Sequence, residues 1–143
     1  MAVIRDIMSK NVITIRCDAT LIDAVRALTD HQLGSAPVVS AEGALIGFVS
    51  DVELTDVLFS REVRNAPVSD YMTRNVLAVH PDDSLTAAAR AIALYGIRQL
   101  PVIENGTLVG IVTPQNLLGY SLRHPEPFTE PLVELIPAIG QFA

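Results

Sequence analysis

Two four-residue windows carry side chains able to hold a ligand. Ser50-Asp51-Val52-Glu53 and Thr113-Pro114-Gln115-Asn116 each place a hydroxyl residue three positions ahead of a carboxylate or an amide. Each follows an apolar run and opens a helical pattern. A helix N-terminus has unpaired N–H groups and about half a positive charge, so it can hold an anion or a polar group. The same residues also read as caps: Ser-x-x-Glu is a capping box, and Thr at the N-cap with Pro after it is a common helix start. The two roles are compatible, because a hydroxyl can cap with one lone pair and still face a ligand. Lys10 and Arg74 occupy equivalent places ahead of two apolar runs, and Arg98 precedes Pro101-Val102 where its counterpart, Gly34, is neutral. A cation so placed can neutralise phosphate oxygens; read as plain surface, it is solvated.

Other chemistries find little support. There is no Gly-x-Gly-x-x-Gly or Gly-x4-Gly-Lys-Ser/Thr loop and no Gly-x-Ser-x-Gly elbow. His31, His80 and His124 are far apart in the sequence and lack metal-ligand spacing, and Cys17 is the only cysteine, which excludes an intrachain disulfide and a Cys-based zinc site. No catalytic residue, cofactor or metal is expected. With ten Lys+Arg against sixteen Asp+Glu, the net charge of -6 argues against a general nucleic-acid binder, and no DNA partner is expected. No apolar window approaches the roughly 20 residues that cross a bilayer, and MAVIRDIMSKNV lacks a signal-peptide h-region, so the expectation is a soluble cytoplasmic protein with no membrane partner.

The elements that must position these windows occur twice. Asp6-Ile7-Met8-Ser9-Lys10-Asn11-Val12 returns as Asp70-Tyr71-Met72-Thr73-Arg74-Asn75-Val76, an offset of 64 that holds through Pro37-Val38 and Pro101-Val102. After a turn it becomes 63, at Gly47/Gly110, Val49/Val112 and Leu54/Leu117. Each copy reads as strand, helix, strand, strand, helix. Val12–Ile15 and Val76–Val79 are β-rich. Thr20 and Ser84 are helix caps, followed by Leu21, Ala24, Val25, Leu28 and by Leu85, Ala88, Ala89, Ile92 at i, i+3, i+4, i+7. Asn105-Gly106 is a hairpin signal. The fold class is α/β (α+β), with two β-α-β-β-α repeats expected to pack about a pseudo-two-fold axis. The copies take residues 1–60 and 61–122. Residues 55–67 read as a linker with Arg61, Glu62, Arg64 and Asn65 solvated. A tail at 123–143, with Leu132, Val133, Leu135, Ile136, Ile139 and Phe142, is expected to dock on the module or on a dimer partner.

These pieces in this order resemble the CBS domain family, and specifically the tandem pair called a Bateman module. The resemblance rests on Asp6-Ile7-Met8-Ser9, Pro37-Val38-Val39 and Leu45-Ile46-Gly47-Phe48-Val49-Ser50, with Asp70-Tyr71-Met72-Thr73, Leu100-Pro101-Val102-Ile103 and Leu108-Val109-Gly110-Ile111-Val112-Thr113 in the second copy. It implies a regulatory module without catalysis, commonly a homodimer, that binds AMP, ADP, ATP or S-adenosylmethionine and signals to a partner protein; a scaffold that has lost nucleotide binding is the alternative. The family's ligand motif is Gly-h-h-Ser/Thr-x-x-Asp (h, apolar), whose Asp holds the ribose hydroxyls. Here the last place is Glu53, one methylene longer, and Asn116, which has lost the charge. A hydrogen bond to a charged group is worth about 1.5–3 kcal/mol against about 1 for a neutral one, which makes the Asn116 site the weaker. By the family pattern, cleft one combines Ser50 and Glu53 with Asn75, Val76, Leu77, Ile97, Arg98 and Gln99. Cleft two combines Thr113 and Asn116 with Val12, Ile13, Leu33, Gly34 and Ser35. Val76 and Leu77 would read the adenine edge with their backbone and sandwich the ring with their side chains. For Val76, Leu77 and Ile97, core packing is the competing role.

Overall fold

A computed structural model describes residues 2–74 and 76–128; the docking tail expected from Leu132, Val133, Leu135, Ile136, Ile139 and Phe142 lies outside the described residues. The described residues form two compact units.

The first unit begins at Ile13. Its sheet has the order β1 (Ile15–Arg16), β2 (Ser35–Val39), β3 (Leu45–Ser50). β1 runs parallel to β2, with Ile15 opposite Val38, and β2 runs antiparallel to β3, with Ala36 opposite Val49. The helix α2 (Leu21–Asp30) starts where expected, because Thr20 and Asp23 exchange hydrogen bonds: Asp23 N–H to Thr20 Oγ1 at 3.2 Å and Thr20 N–H to Asp23 Oδ2 at 3.3 Å. Its stripe of Leu21, Ala24 and Leu28 is buried against Val38 and Val49.

The segment read as a linker belongs to this unit. α3 (Asp51–Leu54) lasts one turn and tightens into a 3-10 turn at Thr55–Leu58. The Thr55 hydroxyl donates to the Val52 carbonyl at 2.8 Å, a local bond that competes with helix propagation. Val57 is buried, Val63 and Ala66 pack on the core, and Leu21 N–H donates to the Ala66 carbonyl at 2.9 Å. Arg61, Glu62, Arg64 and Asn65 are exposed as expected.

The second unit holds a hairpin of β4 (Leu100–Glu104) and β5 (Thr107–Val112), with α4 (Leu85–Tyr95) and α5 (Pro114–Arg123). Asn105 and Gly106 both have positive φ, 54° and 79°, as a two-residue primed turn requires. In the β-rich run at 76–79, Val79 bridges Val102 and Leu77 is a further isolated bridge residue, with no continuous strand, and the run at 12–15 becomes a two-residue strand. Val12 N–H turns back to the Lys10 carbonyl at 3.1 Å instead of entering a ladder.

The units do not follow the copy boundaries, because each copy's Asp-x-Met-Ser/Thr segment packs with the other copy's hairpin. Residues 2–12, including α1 (Ile4–Ile7), belong to the second unit, where Ile4 is fully buried with Val79, Leu85 and Leu100. Ser9 pairs with Ile111 through main-chain bonds of 2.8 and 2.9 Å. In the first unit, Thr73 pairs with Phe48 through bonds of 2.7 and 2.9 Å. Met72 lies over Gly47 and Met8 over Gly110, so close that a Cβ on either glycine would stand 2.6 Å from the sulfur.

Candidate functional site

In the first unit, β3 delivers Ser50 to the start of α3, and both Ser50 and Glu53 are half-buried. The Glu53 side chain folds back over its own cap. Its Oε1 accepts from Ser50 N–H at 2.9 Å and from the Ser50 hydroxyl at 3.0 Å. Its Oε2 accepts from the Thr73 hydroxyl at 2.8 Å. The β2–β3 register sets Ser35 opposite Ser50, and the Gly34 carbonyl accepts from Asp51 N–H at 2.8 Å, so these four residues come together at one end of the sheet. Leu33 packs on the core nearby. Ile13 and Val76 are half-buried in this unit, and Asn75 lies outside the described residues.

The second unit repeats the arrangement with altered chemistry. Asn116 Oδ1 accepts from Thr113 N–H at 2.8 Å and from the Thr113 hydroxyl at 3.0 Å, and Asn116 N–H donates to Thr113 Oγ1 at 3.2 Å. The amide Nδ2 donates to the Ser9 hydroxyl at 3.3 Å. Leu77 and Ile97 are partly buried and pack against this unit's core. Val12 is half-buried. Gln99 is half-buried and engaged in a contact, whereas Arg98 is exposed, without an ion-pair partner among the described residues.

Both helix starts therefore work as caps, and α3 is too short to contribute a helix dipole. Glu53 and Asn116 are each tied to the Ser/Thr of an Asp-x-Met-Ser/Thr segment. Those two hydroxyls, Thr73 and Ser9, were not singled out from the sequence as site residues. The signal was present, because they are equivalent positions of the repeat.

A second polar group lies on the second unit. Arg5 Nη2 bonds Glu104 at 2.8 Å and Asp82 at 3.3 Å, and these partners hold the guanidinium pKa above its usual value. His80, Asp82 and Glu104 have ligand atoms within 4.8 Å of one another, but Arg5 already supplies the cation between the two carboxylates. The first unit also has a groove of about 400 Å³ between α2 and the α3 turn, lined by Val25, Leu28, Leu33, Leu54, Val57 and Leu58. No helix among the described residues is long and apolar enough to cross a membrane.

The duplicated unit, its Gly–Met contacts and its capped helix starts define a tandem pair of CBS domains. The CBS domain matches residues 4–60 and again 68–123, and the chain belongs to that family. It is 33% identical over 115 residues to uncharacterized protein MJ1225 of Methanocaldococcus jannaschii, covering 80% of this chain and 41% of that one. It is 32% identical over 114 residues to the CBS domain-containing protein YhcV of Bacillus subtilis, covering 78% of this chain and 80% of that one. Among solved structures, CBSX2 in complex with AMP aligns with a TM-score of 0.76 at 27% identity, covering 88% of this chain and all of that one. The CBS domain pair of protein MJ0100 in complex with 5-methylthioadenosine and S-adenosyl-L-methionine aligns with a TM-score of 0.69 at 27% identity, covering 83% and 98%.

Proposed function

We propose that the chain is a non-catalytic regulatory module of the cytoplasm that senses an adenosine-containing ligand and signals to a partner protein. AMP, ADP, ATP and S-adenosylmethionine are the ligands in question. The observation that carries this reading is the Glu53 carboxylate, held in one orientation at the place where the family's ligand motif has Asp. The AMP bound to CBSX2 and the S-adenosylmethionine and methylthioadenosine bound to the MJ0100 pair support the ligand class. In this reading Ser50 and Glu53 take the ribose, the exposed Arg98 takes phosphate, and Asn75, Val76, Leu77, Ile97 and Gln99 complete the site. The set of Thr113 and Asn116 with Val12, Ile13, Leu33, Gly34 and Ser35 binds more weakly.

A thermal-shift panel with AMP, ADP, ATP and S-adenosylmethionine tests the reading. Ligand at 100 times its Kd stabilises the fold by about 2.7 kcal/mol and raises Tm visibly. Glu53→Ala and Arg98→Ala should each abolish the rise; Arg98→Ala should leave the unliganded Tm close to wild type, whereas Glu53→Ala should lower it by the loss of the cap, about 0.5–2 kcal/mol, so each variant is read against its own unliganded control. No rise with any compound at millimolar concentration rejects the sensor. The second reading, a dimerisation scaffold, then takes its place. It draws on the exposed apolar side chains, among them Phe59 and Leu122 (both 86% exposed). Exposed hydrophobics of this size fit a self-association surface.

A further inference from the structure

The two long helices of the second unit leave an outer face uncovered among the described residues. On α5, Leu118 and Leu122 stand one turn apart and both are exposed. On α4, which packs against α5, Arg90 and Leu94 stand one turn apart and are exposed as well. Neither helix contains an Asp or a Glu. Arg90 and the exposed Arg123 at the end of α5 have no ion-pair partner among the described residues. The face therefore combines apolar side chains with positive charge alone, on a chain whose net charge is -6.

The chain leaves this same unit with the complementary chemistry. Phe128 packs on the unit's core, its ring centroid 6.3 Å from that of Tyr120 on α5. Fifteen residues follow, with Glu130 and Glu134, no Lys, Arg or His, and six large apolar side chains from Leu132 to Phe142. A segment of that length reaches up to about 50 Å, whereas α5 is about 15 Å long, so it can cover the whole helix.

We propose that the α4–α5 face of the second unit is the docking surface of residues 129–143 of the same chain, with Glu130 and Glu134 set against Arg90 and Arg123, and that this cover shields the face from a second copy. The tether at Phe128 favours the chain's own segment, because a short flexible link holds it at an effective concentration of order mM. The groove of the first unit is the poorer seat. It is lined by Asp51, and Asp56 is exposed beside its Thr55 wall, so two glutamates would meet like charge.

The test is limited chymotrypsin digestion of the full chain at micromolar concentration, following the cuts after Leu132 and Leu135. Cleavage of a docked segment follows the population of its open form, so Leu118→Asp with Leu122→Asp should speed these cuts by about 10-fold or more. Both leucines are exposed, and the fold is checked by circular dichroism. Arg90→Glu with Arg123→Glu should speed the cuts, as should Glu130→Arg with Glu134→Arg. All four together should restore slow cleavage, a result that damage to the fold could not produce. Glu130→Arg with Glu134→Arg, which uncovers an intact apolar face, should also raise self-association in sedimentation equilibrium. Cuts as fast in wild type as in Leu118→Asp with Leu122→Asp overturn the docking. A wild-type rate that falls as chain concentration rises overturns it too, by assigning the cover to a second copy. Unchanged self-association overturns the shielding.

Discussion

Gly47 and Gly110 are positions where a single methyl group is too much. Each is buried on the last strand of its hairpin beneath a methionine from an Asp-x-Met segment. A Cβ on Gly47 would stand 2.6 Å from Met72 Sδ and 3.0 Å from the Thr73 carbonyl oxygen; on Gly110 the distances are 2.6 Å to Met8 Sδ and 3.1 Å to the Ser9 oxygen. The thioether can bend away, since Met is flexible. The carbonyl cannot, because its strand is held by the Phe48 pairing. Gly47→Ala should therefore cost about 1–3 kcal/mol, read from urea denaturation. Met72→Ala added to it should recover only part of the clash, because the carbonyl stays in place; strict additivity of the two substitutions would show that the sulfur is not the obstruction.

Among the elements, α2 shows how much of the local fold can be read from residue types. Thr20, Asp23 and the Leu21, Ala24, Leu28 stripe specify its start and its buried face, and the structure has both. The Thr20 hydroxyl and backbone bonds hold the Asp23 carboxyl below its ordinary range. A group that binds its proton more weakly when folded stabilises the fold fully above its unfolded pKa, about 3.9 for Asp, and loses that contribution as the pH falls through the lowered folded value. Asp23→Asn should make stability less sensitive to acid below about pH 4 while retaining an acceptor for the cap, measured as Tm against pH in parallel with wild type. An unchanged slope would mean that the Thr20 bonds contribute no linkage. The segment after Leu54 shows where such reading stops. Polar residues at 61, 62, 64 and 65 suggest a solvated linker, but Val57, Val63 and Ala66 alternate with them and are drawn onto the core. Their burial depends on a tertiary surface that no local pattern reports. The Glu53 and Asn116 positions were legible from motif spacing, whereas their Thr73 and Ser9 partners required knowledge of which strand lies beside which hairpin.

For the whole molecule, the exchange of segments is what duplication conceals. Met8 and Met72 occupy the same place in the repeat, as do Gly47 and Gly110, so the sequence is consistent with either pairing within a copy or pairing across copies. The structure takes the second course: residues 2–12 complete the unit built from the second copy, and Thr73 completes the one built from the first. Each segment that carries a Ser9- or Thr73-type hydroxyl leads directly, through Val12–Ile13 or Val76–Leu77, into the other unit, so the chain passes covalently from a side chain touching Asn116 or Glu53 to the neighbouring unit. Ile4 provides the sharpest test of this arrangement. It is fully buried among Val79, Leu85 and Leu100, all of them at least 75 positions away in the sequence. Ile4→Ala should cost about 2–5 kcal/mol. Amide hydrogen exchange should place the loss of protection in α4, β4 and β5, with α2 and β1–β3 retaining theirs. Loss confined to α2 and β1–β3 would instead mean that the first segment packs within its own copy.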